Sequence, residues 1–494
     1  SFSARKRSKK SGISHKALSF LRLAAGLNDQ SGTEKQVLDM PLSYRGLQKC
    51  KSIMACVDGL VIQILLSFPE KPEIQNWKYF DRLTRVLMHG FIDDWFRTNP
   101  DKVSFFETIK SLRGDVKRLG FNPSTTLQDV RVPRELSILL QCFRDIGNSN
   151  SILDMYRVAT LSQTRASGVP PRIIKVKTLE KIRKVLRTPC DIEVYNSLSR
   201  PLNEAIHFSV LEILSHISEK DRKDLFMDCI RQSKISLSDS AEFSTPTSEG
   251  GKLEAARAAL HSSESIDEVN LFNGSLTGNK ITKAQGSIGN FLFHWALNQF
   301  RDRSTIYSRG LMDVRISLVA ELGKYRGITV STLQHALLLH PLSHIGLKFL
   351  ECSPEHRSGV KASNHAWNFF TRMSGSNPAA EFIFGKGSKY LLSLDWETAT
   401  DFCDHHIARA ILNRSFRMIG VPDWYRDTCV FALTSPRRVV ERDGSLWFTK
   451  RGVLMGDPGT KFLLHLYHPI SRRMAATALK QLEVYLPSQV VGSD

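Results

Sequence analysis

Asp395 and Asp401 are the first residues in this chain whose type and spacing could do chemistry. Asp395 ends a short apolar run, residues 390–394, and Asp401 stands where a helical pattern begins. Ile407, Ile411, Leu412, Phe416 and Ile419 then recur at spacings of three and four, with Arg409, Asn413, Arg414 and Arg417 between them. The pattern predicts a buried strand ending in an acidic residue, a tight connection and an amphipathic helix. An aspartate at the exposed end of a core strand can hold a divalent cation against a phosphate, because hard oxygen ligands suit magnesium. Alone, such a pair is more often a helix cap plus a surface charge.

Other stretches add to it. At 321–330 the chain reads Glu-Leu-Gly-Lys-Tyr-Arg-Gly-Ile-Thr-Val, strand-like, with Lys324 and Arg326 alternating about Tyr325 so that both cations share a face. Two cations beside a glycine can grip a triphosphate; a solvated strand face is the plainer alternative. Asp443-Gly444 between apolar flanks is a hairpin signal. Arg451-Gly-Val-Leu-Met-Gly-Asp-Pro-Gly-Thr-Lys461 is a glycine-rich loop leading into a helical run through Leu479, with Pro469 as a kink position. Its glycines can bring backbone amides close to a nucleotide, although no P-loop frame fits. Residues 483–494 predict a strand entering a tight turn.

The elements that must position these residues are mostly helical. Residues 74–97 and 189–217 carry the apolar spacing of amphipathic helices, and about 13–230 reads as mainly helical. Serines and glycines between 231 and 280 predict a linker or surface insertion, relieved by a short helical piece near 252–262. The domains expected are 1–230, a helical region; 231–280, the linker; 281–385; and 386–494. The chain of 494 residues carries a net charge of +19, which favours a polyanionic partner. Eight scattered cysteines without a CxxC pair suit free thiols in a reducing compartment. The most apolar stretch, 54–68, is interrupted by Asp58 and Gln63, so no membrane span is expected. Asp404-His405-His406, His465 and His468 lack a third partner at metal-ligand spacing. Gly385-Lys-Gly387 lacks the third glycine of a dinucleotide fingerprint. The basic arm at residues 1–11 reads as a solvated terminus, with nuclear targeting or RNA contact as the alternatives.

Taken in order, these pieces resemble the RNA-dependent RNA polymerases of positive-strand RNA viruses, most closely the narnavirus and ourmia-like (botourmiavirus) group. Asp395-Trp-Glu-Thr-Ala-Thr-Asp401 is similar to polymerase motif A, Arg451 to Lys461 to motif B, and Glu321 to Thr329 to motif F of the fingers. The resemblance covers about 320–494. It implies an α+β right-hand fold: helical N-terminal and fingers regions (fingers 281–385), and an antiparallel-sheet palm (386–494). It implies template-directed synthesis from ribonucleoside triphosphates on an RNA template by a two-metal mechanism, in the host cytoplasm.

By that resemblance Asp395 binds both catalytic magnesium ions (manganese being the alternative), and Asp401 contacts the incoming ribose. Gly452 and Gly456 give the motif B loop its mobility, Thr460 helps read the ribose or the templating position, and Lys324 and Arg326 neutralise the triphosphate. The family's motif C turn, usually Gly-Asp-Asp, falls at Val490-Val-Gly-Ser-Asp494. With Ser493 in the glycine position Asp494 is the second metal ligand; with Gly492 there, Ser493 replaces it. The first is preferred. The remaining palm motifs and the thumb are missing, so the chain alone is expected to be inactive. A chain opening Ser-Phe-Ser without methionine favours an incomplete reading frame over a palm split with a second polymerase chain. A non-catalytic viral RNA-binding protein is the alternative from another class. A reverse transcriptase is disfavoured by the absent Tyr-x-Asp-Asp turn and by Asp401.

Overall fold

The apolar stripes of the amino-terminal part become helices α1 (Tyr44–Ser67), α2 (Trp77–Phe96), α3 (Phe105–Phe121) and α4 (Ile152–Leu161). They meet through Ile53, Leu60, Ile64, Leu87, Phe91, Phe106, Leu112 and Leu161, all buried. Buried Asp94 of α2 starts α3: its two carboxylate oxygens accept from the Phe105 and Phe106 amides at 2.9 and 2.6 Å. A carboxylate there satisfies amides that a helix start leaves unpaired. The computed structural model describes residues 44–69, 76–96, 104–121, 152–163, 168–218, 221, 235, 237–261, 268–272, 275–282, 287–361 and 399–480.

The chain divides into two compact units. Residues 1–181 and 318–327 form the first; 182–317 and 328–494 form the second. The division falls inside α5 (Arg172–Arg187) and returns to the first unit at one hairpin.

In the second unit, α6 (Ile192–Ser215) covers the predicted 189–217 helix and is capped by Asp191, which accepts from the amides of Glu193 and Val194. Next come α7 (Gly251–His261), the strands β1 (Glu268–Phe272) and β2 (Leu276–Thr282), and α8 (Ile288–Arg301). The serine-rich stretch therefore carries a helix and an antiparallel hairpin. Ala256 and Val269 from it are buried with Phe291, Leu292, Trp295 and Leu337. Buried Glu242 also accepts from the Leu333 amide at 3.1 Å, at the start of α9 (Leu333–Glu351).

Strands β3 (Asp313–Glu321) and β4 (Lys324–Ser331) are joined through Leu322 and Gly323, and their sheet has the order β4-β3-β5-β6. Helices α10 (Pro354–Lys361), α11 (Ala399–Phe402), α12 (His405–Ile419) and α13 (Asp423–Thr434) precede β5 (Arg438–Val440) and β6 (Leu446–Phe448). The chain described ends in α14 (Thr460–Lys480), which runs through Pro469. Strand β3 pairs parallel with β5, and β5 antiparallel with β6, so this sheet is mixed. The β5–β6 hairpin turns at the expected Asp443-Gly444 pair, with Gly444 at φ +82°. Helix α12 buries Ile411, Leu412, Phe416 and Ile419, the stripe read from the sequence. They join Leu338, Leu342, Phe349, Leu433, Phe462 and Leu466 in the largest core.

The result is a predominantly helical α+β protein with small sheets. Among the described residues no helix is long and apolar enough to cross a membrane.

Candidate functional site

Asp395 and Asp494, with the strands expected at 390–394 and 483–494, lie outside the described residues. Asp401, Gly452, Gly456 and Thr460 are described, all in the second unit; Lys324 and Arg326 belong to the first.

The loop from Lys450 to Thr460 is held by main-chain bonds at its start. The Lys450 amide donates to the Leu186 carbonyl at 2.7 Å, the Gly452 amide to Cys403 at 2.8 Å and the Val453 amide to Thr400 at 3.0 Å. The last two acceptors bracket Asp401, so the glycine-rich loop and the short helix α11 are fastened as one piece. At Gly452, φ is +96°, and an added Cβ would sit 2.5 Å from the Leu186 side chain and 3.3 Å from the Asp401 carbonyl. Buried His405 presents Nε2 to the Gly452 carbonyl at 2.9 Å, and burial lowers its pKa from the ordinary value. The histidine thus serves the loop's backbone, while Asp404 caps α12 by accepting from His406 and Ile407 at 2.7 and 3.2 Å.

Further along, Gly456 lies against the end of β4. Its amide donates to Thr329 Oγ1 at 3.1 Å, and a Cβ there would stand 1.8 Å from the Thr329 carbonyl oxygen. No side chain fits without moving backbone. Thr460 is buried, and its hydroxyl donates to the Leu454 carbonyl at 2.9 Å, closing the loop on itself. Glycine here supplies close approach to the end of β4.

Asp457 and its partners went unassigned in the sequence. Its carboxylate is buried, takes Arg437 Nη1 at 2.5 Å, accepts from the Ser331 hydroxyl, and faces His335 Nδ1 at 3.6 Å. Burial alone would raise this carboxyl, but Arg437 and the neighbouring donors hold it below its ordinary value. Arg437, 1% exposed, also donates to the carbonyls of Met312 and Asp313 and to Ser331 Oγ. One ion pair therefore ties the loop to the start of β3, the end of β4 and the start of β5. The available signal was the acid itself, set between a glycine and a proline in a loop that is otherwise apolar.

In the first unit, the common face expected for Lys324 and Arg326 is occupied by Glu321. Its carboxylate meets Arg326 Nε at 2.8 Å and Lys324 Nζ at 3.7 Å. A triphosphate arriving there would compete with that carboxylate for both cations.

No family model matches the chain, and no curated protein matches it. Among the described residues no group of three or more His, Cys, Asp or Glu side chains is arranged to hold a metal ion. The geometry does provide a glycine-dependent loop whose backbone is bonded on both sides of Asp401 and lies against Thr329.

Proposed function

We propose that the chain is part of an RNA-directed RNA polymerase that copies a positive-strand RNA genome in the host cytoplasm. The observation that carries this reading is the order of three motifs, at 321–329, 395–401 and 451–461. Support comes from the fastening of the third to the end of the second by main-chain bonds at Gly452 and Val453, and to the end of the first by the Gly456 amide on the Thr329 hydroxyl. Glycines at these two positions are what such packing needs, and the polymerase motif has glycine at both.

In this proposal Asp401 meets the incoming ribose, Lys324 and Arg326 meet the triphosphate, and Gly452, Gly456 and Thr460 shape the nucleotide's surroundings. Magnesium, with manganese as the alternative, is the ion the proposal calls for, and Asp395 and Asp494 are its assigned ligands. The right-hand arrangement of palm and fingers belongs to the same proposal. The net charge of +19 suits an RNA template and product.

The test uses the chain joined to whatever its coding RNA specifies beyond codon 494, or to a second protein carrying that part. With primed RNA and ribonucleoside triphosphates, incorporation is expected from the joined protein and none from residues 1–494 alone. Asp395→Ala should abolish incorporation and leave RNA binding unchanged. RNA binding with no incorporation from any joined form would instead identify a non-catalytic RNA-binding protein. A preference for deoxyribonucleotides would indicate a reverse transcriptase.

A further inference from the structure

In the second unit, lined by none of the residues assigned above, lies an open cleft of about 800 Å³. Cys190 lies on one side, His405, His406 and Arg409 of α12 on another, and Tyr307, Phe448 and Lys450 complete the wall. The volume lies within the roughly 300–1,000 Å³ of small-ligand sites.

The chemistry of the wall is specific. Phe448, 48% exposed, meets Tyr307 edge to face at a centroid distance of 5.5 Å. The tyrosine is fixed in turn by its hydroxyl, which donates to the Pro436 carbonyl at 2.7 Å. An exposed ring steadied from behind is a stacking platform. Arg409 is aimed by Thr434, donating from Nε to the hydroxyl at 3.1 Å and from Nη2 to the carbonyl at 3.2 Å. Lys450 is fixed through its backbone alone: its carbonyl accepts from the Cys190 thiol at 3.2 Å and its side chain is exposed. Neither Arg409 nor Lys450 forms an ion pair with a carboxylate among the described residues. Asp404, the nearest acid in sequence to this part of α12, caps the helix and lies beside the Cys190 thiol at the cleft's edge.

A flat apolar ring sharing a cleft with two cations that have no carboxylate partner among the described residues suits a planar base carrying a phosphate. We infer that this cleft binds a nucleotide unit, its base on Phe448 and its phosphate against Arg409 and Lys450. The unit is either a free ribonucleotide or one residue of single-stranded RNA. The inference goes beyond the polymerase reading and stands if that reading fails, since none of the residues assigned there lines the cleft. His405 connects the two places: it lines the cleft and contacts the Gly452 carbonyl.

Photocrosslinking with 5-iodouridine, followed by peptide mapping, tests it on the 494-residue chain. An eight-residue oligouridylate carrying the iodo base, and 5-iodouridine monophosphate, are used in separate arms. Crosslinking to the peptide containing Phe448 or Tyr307 is expected. Capture of the oligonucleotide alone would identify an RNA strand, and capture of the mononucleotide as well would identify a free-nucleotide site. Phe448→Ala should reduce that crosslink about tenfold and Phe448→Tyr should keep it, with thermal melting used to verify the fold of each. Lys450→Gln should weaken oligonucleotide binding and reduce its logarithmic salt slope by about 1. Absence of the crosslink in both arms, or its persistence in folded Phe448→Ala, would overturn the inference.

Discussion

At Gly456 a single added carbon decides the packing. With 1.8 Å between the ideal Cβ position and the Thr329 carbonyl oxygen, alanine must displace either the loop or the end of β4. Gly456→Ala is expected to cost about 1–3 kcal/mol, the usual range for overpacking, read as a lowered unfolding midpoint. Gly114, in the interior of α3 with nothing within 4 Å of its Cβ position, is the control. Gly114→Ala should stabilise by about 0.5–1 kcal/mol through helix propensity. If both variants move together, the close approach at Gly456 is not what governs it. The Arg437–Asp457 pair is the second residue-scale prediction. Both side chains are 1% exposed, so Asp457→Asn leaves a buried guanidinium without its counter-charge. A loss of about 3–5 kcal/mol is expected, and a loss under about 1 kcal/mol would mean that water reaches the pair. The glycines stood out in the sequence as a glycine-rich run before a helix. The ion pair did not, because nothing in Pro436-Arg437-Arg438 says which arginine turns inward.

Local pattern served well for elements whose cause is local. The 3.6-residue recurrence in α12 and the Asp-Gly turn of the β5–β6 hairpin both formed where the sequence placed them. Polar composition was a poorer guide at 237–282, where a few apolar side chains, among them Ala256 and Val269, suffice to bury one face of a helix and a hairpin. Parallel pairing of β3 with β5 was illegible for another reason. It brings Asp313 opposite Arg438, joined by a two-pronged ion pair at 2.6 and 2.8 Å, across 125 positions of sequence. Periodicity carries no information at that range. Helix starts are local again, and they yield a prediction. Asp404 accepts from two amides of α12, so Asp404→Ala should cost about 1 kcal/mol. Asp404→Ser should recover most of it, since a hydroxyl can take the same role. A urea titration of the three proteins measures both, and an unaltered midpoint in Asp404→Ala would show that the cap contributes nothing.

Over the whole molecule the interior has a feature that no window of sequence shows, a set of histidines kept neutral by burial. His335, His340 and His356 are each lowered from 6.5 to about 4. Loss of hydration is the leading cause in all three, with Arg437, Lys252 and Glu212 respectively the next groups to act, the last in the opposite sense. In the unfolded chain these rings titrate at their ordinary value. Between about pH 6.5 and pH 4 the unfolded chain therefore binds protons that the folded chain refuses, and stability must fall as pH falls through that window. Below about pH 4 this contribution levels off. Asp457, held below its ordinary 3.8, then adds a further loss as its own carboxylate is protonated in the folded state. Denaturant midpoints at pH 7.5, 6.5, 5.5 and 4.5 should be nearly flat over the first step and decline over the next two. His356→Gln should lessen that decline, because it removes one of the proton uptakes while keeping a polar side chain. A midpoint constant down to pH 4.5 would mean that these rings are charged in the folded protein, each with a counter-charge close by. Histidine is common on solvated faces, so a sequence holding fifteen of them does not mark which ones the core will enclose.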